Sequence, residues 1–131
     1  MATTTAAVTL SSDLLSDAMS VSATTTCMKA GTTADGLDQM EYGYVEIASG
    51  TAYDIIGNTP TASKASKLYV KNHSIDETYY ISVVLDAQAI GKLYGGDWML
   101  IPGHLKATVG DVTVKPSVAT KMSAEFMVFF E

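Results

Sequence analysis

The sequence predicts an all-β protein, an antiparallel β-sandwich of jelly-roll type built from about nine short strands. Three observations carry that prediction. Sixteen Thr and eleven Val supply β-branched side chains that fit a pleated surface. Apolar residues recur with a period of two in several separate stretches. Gly, Pro and Asp punctuate the chain so often that almost no room is left for a helix.

Residues 1–10 are mostly Thr and Ala and read as a flexible N-terminal arm, with a single sandwich domain over 11–131. Ser12 or Asp13 is placed to cap one helical turn within 11–19. From Met19 the period is two: Met19, Val21, Ala23, Thr25 and Cys27 share one face, and Ser20, Ser22, Thr24 and Thr26 the other. A Gly- and Asp-rich loop over 30–38 precedes the strand MEYGYVEIA, where Gly43 suggests a bulge. TAYDII follows Gly50, and a polar connection with Pro60 leads to KLYVKN. KLYVKN and TYYISVVL read as a hairpin joined by HSIDE, with Tyr79, Ile81, Val83 and Leu85 pointing inward. The glycine-rich stretch AIGKLYGGDWMLIPG holds a short apolar strand that Pro102 ends. LKATV and VTVKPS are split around the turn pair Gly110-Asp111.

SAEFMVFFE closes the sequence with both faces apolar. Phe126, Val128 and Phe130 point one way, and Met127 and Phe129 the other. One set fits the protomer core. Leaving the second set wet would forgo about 1.5–3 kcal/mol per side chain and invite aggregation, so Met127 and Phe129 are the expected partner interface.

Charged residues make up 17% of the chain, well below the typical level of about a quarter. The eight basic side chains are all Lys, and the net charge is −6. Without Arg, the preferred fork for phosphates and base edges, and with an acidic surface, nucleic acid is an unsuitable partner. The opening MATTTAAVTL has no basic segment and no long apolar run, so no membrane partner and no secretory route are expected. With one cysteine, Cys27, the chain has no internal disulfide framework and reads as made in a reducing cytoplasm.

No P-loop, GxGxxG, HExxH, GxSxG or paired CxxC occurs, so no catalytic residue, cofactor or metal is assigned. His73 stands beside Ser74, Asp76 and Glu77 in a loop, where consecutive residues rarely converge as a triad does. His104 and Cys27 lack ligand spacing and read as a surface turn and a small buried hydrophobe. Asp35 and Asp38 are only two carboxylates toward the six to eight or so oxygens that calcium takes. In YGGDW, Tyr94, Asp97 and Trp98 would suit a sugar, with the rings stacking and the carboxylate hydrogen-bonding. The plainer reading puts Trp98 in the core, alternating with Leu100.

The order KLYVKN, TYYISVV, IGKLYGGDWMLIP and SAEFMVFFE, over residues 67–131, resembles that of small virion proteins of tailed bacteriophages. The third element is carried by Leu93, Gly96, Asp97, Trp98 and Pro102. The resemblance implies a capsid decoration (cement) protein that binds the outside of the shell and stabilises it. Its partners would be the major capsid protein or other virion proteins, with self-association, as trimers in the family. A tail, neck or head-fibre component shares the pattern. A carbohydrate-binding β-sandwich is the reading from a different class.

Overall fold

The computed structural model describes residues 4–14, 19–27, 37, 39–48, 51–56, 66–105, 112–117 and 121–130. The described residues contain no helix. The strands are β1 (Thr4–Ser12), β2 (Met19–Cys27), β3 (Gln39–Ile47), β4 (Tyr53–Ile56), β5 (Ser66–Asn72), β6 (Tyr80–Leu85), β7 (Gln88–Tyr94), β8 (Trp98–Leu105), β9 (Val112–Pro116) and β10 (Met122–Phe130). The all-β prediction holds. The chain divides into two compact units, Met1–Asp38 and Gln39–Glu131.

The first unit contains an antiparallel ribbon in which β1 pairs β2 from Thr4↔Cys27 to Ser12↔Met19. Residues 4–10, expected within an arm over 1–10, are therefore part of a strand. β-Branched Thr and Val with small Ala suit that role, and every described residue of β1 has a β2 partner. The Ser12 hydroxyl accepts the amide of Leu14 at 3.2 Å, and most of the helical turn expected within 11–19 lies outside the described residues. Met19, Val21 and Ala23, expected on a half-buried face, are exposed. Leu10, opposite Val21, is exposed too.

The second unit is a sandwich of two four-stranded antiparallel sheets, ordered β3-β10-β5-β8 and β4-β9-β6-β7. Its pairings are nested: β3 with β10, β4 with β9, β5 with β8 and β6 with β7. A long hairpin with its tip at β6–β7, rolled so that β10 meets β5 and β9 meets β6, gives this order. That is the jelly roll.

The core is aliphatic. Leu68, Val70, Ile81, Val83, Val112, Val114 and Val128 are fully buried, and Ile55, Ile56, Ala124 and Phe126 join them. β10 alternates without a break, with Met122, Ala124, Phe126, Val128 and Phe130 inward. The inward set assigned to its closing stretch is the one observed.

Gly43 marks no bulge, since β3 and β10 pair without a shift from Ile47↔Met122 to Gln39↔Phe130. The Phe126 ring lies across it, and a Cβ at residue 43 would stand 2.3 Å from the ring. HSIDE joins no hairpin either. β5 and β6 belong to different sheets, so residues 73–79 carry the chain across the sandwich. The hairpin is β6–β7, closed by Asp86 and Ala87 at φ 49° and 62°. Tyr79 is exposed, while Ile81 and Val83 are buried and Leu85 packs at the core margin. Pro102 does not end its strand. It falls in a register shift of β8, at the edge of its sheet, where Pro is tolerated.

One corner ties the sheets together. Asn72, fully buried at the end of β5, donates from Nδ2 to the carbonyl of Leu93 on β7 and accepts the Ser74 amide at Oδ1, both at 2.9 Å. Its own carbonyl accepts the Gly96 amide, and its amide donates to Asp97. Asp97 donates its amide to the Tyr94 carbonyl, closing a turn in which Gly96 has φ 90°. A positive φ at the third residue of a turn is why glycine stands there.

Candidate interaction face

Pairing places the side chains of the outer face of the β3-β10-β5-β8 sheet in rows. One row reads Tyr44, Glu125, Lys71, Trp98, and the next Tyr42, Met127, Tyr69, Leu100. A third holds Met40, Phe129 and Lys67. Residues directly opposite on neighbouring strands point to the same side, so Met127 and Phe129 stand inside an aromatic and apolar field. Met40, Tyr42, Tyr44 and Trp98 are 51–56% exposed, and Met127, Phe129, Tyr69 and Leu100 are half-buried. Contiguous apolar exposure of this kind makes the face a candidate interaction surface.

Polar groups are organised around Glu125. The Tyr42 hydroxyl donates to its Oε2 at 3.0 Å, and His73 Nε2 lies 3.6 Å from its Oε1. Tyr44 covers His73 with ring centroids 5.3 Å apart, leaving Nε2 buried without a hydrogen-bond partner. The hydrogen bond to Glu125 holds the Tyr42 phenol above its ordinary pKa of 10.0, helped by partial desolvation. Tyr69 is raised mainly by burial, with Glu125 adding to it. Tyr69 and Trp98 form a tilted pair at 6.2 Å. Lys71, next to Glu125 across the strands, makes no ion pair among the described residues.

Trp98 is half-exposed, contrary to its placement in the core. In β8 it is Met99 and Ile101 that pack inward, opposite Val70 and Leu68. The three residues considered for a sugar are not brought together. Leu93 is buried, so Tyr94 points out of the other sheet, where it meets Tyr80 at 5.4 Å. Trp98 leaves the sandwich on the opposite side. The Asp97 carboxylate accepts the Tyr94 amide at 3.0 Å and serves the turn.

Around His73, the Ser74 hydroxyl accepts the Ser123 amide, and Asp76 accepts both the amide and the hydroxyl of Thr78. Those bonds hold the Asp76 carboxyl below its ordinary value of 3.8. Residues 73–79 and the start of β10 border an open cleft of about 350 Å³, beside which Ile75 is 99% exposed. Among the described residues no three His, Cys, Asp or Glu side chains gather as metal ligands. Asp35, Asp38 and the side chains of Cys27 and His104 lie outside the described residues, as does the turn at Gly110-Asp111.

Composition and turn signals gave no hint of the face formed by Met40, Tyr42, Tyr44, Tyr69 and Leu100. The usable signal was that MEYGYVEI and LYVK carry apolar or aromatic residues on both phases. No protein-family model matches the chain, and comparisons with curated proteins and with solved structures found no match.

Proposed function

We propose that this chain is a structural protein of a bacteriophage particle, a decoration protein that binds the outside of the capsid shell and stabilises it. The observation that carries the reading is the outer face centred on Met127 and Phe129, a surface that suits a protein partner. Fully burying a side chain of that size stabilises by about 1.5–3 kcal/mol. The order of motifs over residues 67–131 supports the virion assignment, and capsid domains are among the uses of the jelly roll, a fold-level analogy. A net charge of −6 without Arg suits the outside of a shell better than its DNA-facing side. The residues behind the motif resemblance, Asn72, Gly96 and Asp97, are bonded to one another at the corner. They speak for shared architecture more than for a shared contact.

Particles purified from the source phage test the proposal. The protein should be present in stoichiometric copies and be labelled on the head by antibody. Phe129→Ser should reduce its incorporation while the isolated protein keeps its fold. Labelling confined to the tail or neck would move the assignment to those parts, and absence from particles would refute a virion role.

The carbohydrate-binding reading retains only the exposed Trp98 with the half-buried Tyr69 beside it. Tyr94 and Asp97 lend it nothing.

A further inference from the structure

We infer that the outer face of the β3-β10-β5-β8 sheet pairs with the same face of a second copy of the chain. The two-fold axis runs along the strands, between β10 and β5. The inference rests on reading this face as an interface and not on the virion assignment; a face covered by a second copy is not free for a shell, so the dimer is the form that parts before the shell is bound.

The argument is one of symmetry. Rotation by half a turn about such an axis keeps each row at its level and reverses its order across the sheet. Glu125 then faces Lys71 of the second copy, and Lys71 faces Glu125 of the second copy. Tyr44 meets Trp98, Tyr42 meets Leu100, and Met127 meets Tyr69, each contact occurring twice. An isologous interface needs a surface complementary to itself. The first row, Tyr44-Glu125-Lys71-Trp98, has that property: its acid and base stand on either side of the axis with an aromatic ring outside each.

The charges favour this partner further. Among the described residues Lys71 makes no ion pair within its own chain, although Glu125 is its cross-strand neighbour. Face-to-face sheets pack about 10 Å apart with strands roughly aligned, which suits side chains meeting across the axis. Tyr42, Tyr44, Trp98 and Met40 leave about 400 Å² of side chain in water, taking about 200 Å² for each whole side chain. A standard interface covers roughly 800 Å² per partner. With the half-buried residues between them, the face supports a small, reversible dimer.

Sedimentation equilibrium of the full chain tests this with two single charge reversals. Lys71→Glu alone and Glu125→Lys alone should each weaken self-association about tenfold or more, because like charges then meet twice across the axis. Mixing the two variants should restore a one-to-one heterodimer, since each chain then supplies what the other lacks. A contact within one chain would give no such rescue.

Trp98 gives a readout that needs no variant. It is the only Trp, and its access to a quencher should rise as wild-type protein is diluted through dissociation. A wild-type chain that stays monomeric, a mixture that fails to associate, or Trp98 access unchanged through dissociation each overturns the dimer. A monomeric chain still found on particles would leave the virion reading intact.

Discussion

Gly43→Ala tests the closest packing in the sandwich. The added Cβ would stand 2.3 and 2.4 Å from two carbons of the Phe126 ring, far inside contact distance. The ring is 3% exposed, and Tyr53 on the facing sheet approaches it at 5.9 Å between centroids. Retreat would therefore displace other packed groups. Overpacking of this kind costs about 1–3 kcal/mol. Against that stands the loss from glycine's extra backbone entropy, about 0.5–1 kcal/mol relative to Ala. The net expectation is a destabilisation of roughly 1–2 kcal/mol.

The same substitution in a Phe126→Leu background meets no ring, so only the backbone gain remains, and it should be neutral or stabilising by up to about 1 kcal/mol. The double-mutant coupling is then about 2 kcal/mol, within the range for residues in contact. Urea unfolding of all four proteins measures it, read from the midpoints provided the slopes stay equal. An equal cost of Gly43→Ala in both backgrounds would refute the reasoning and show that the glycine serves its own backbone.

Three further outcomes are expected. Ala87→Gly should stabilise by about 0.5–1 kcal/mol in thermal unfolding, because Ala87 is held at φ 62° in a two-residue turn that favours Gly; no gain would mean that the turn relaxes in solution. Asn72→Leu should cost about 2–4 kcal/mol of unfolding free energy, since it strands the Leu93 carbonyl and the Ser74 amide at a buried corner; a neutral result would show that water replaces the side chain. Tyr42 has a folded pKa raised above 10.0, so its hydrogen bond to Glu125 stabilises fully below pH 10.0 and that contribution is lost as pH rises through the folded value. Tyr42→Phe should accordingly remove one of the most alkaline phenols from an ultraviolet titration of the seven tyrosines, and an unchanged alkaline limb would count against the contact.

What could be read in advance follows from how residues alternate. Phe126, Val128 and Phe130 alternate with Glu125, Met127 and Phe129, and the inward set of that strand was legible. WMLI is apolar at four successive positions, so either phase buries two of them, and pattern alone chose Trp98 and Leu100 where the fold chooses Met99 and Ile101. β7 was hidden because Asp86-Ala87 lacks the glycine that normally announces a tight hairpin. The connection at 73–79 was misplaced because adjacent strands usually pair, whereas a rolled hairpin sends β5 and β6 to different sheets. The candidate face was half legible: Met127 and Phe129 stood out, but Tyr42, Tyr69 and Leu100 join them only through pairings distant in sequence.

The nested pairing also constrains how the protein is made. β3 emerges first of the sandwich strands, yet its partner is β10, and β5 also needs β10 on one side. Until Met122–Phe130 has been synthesised, β3 has no partner in its sheet and the core lacks Phe126 and Val128. The sandwich therefore cannot close until β10 has been made, and it forms slowly, because nearly every pairing outside β6–β7 joins distant residues. In the interval β3 exposes an unpaired, Tyr-rich strand to its neighbours. A translation stop just before Met122 would make that state permanent and leave an aggregation-prone strand edge.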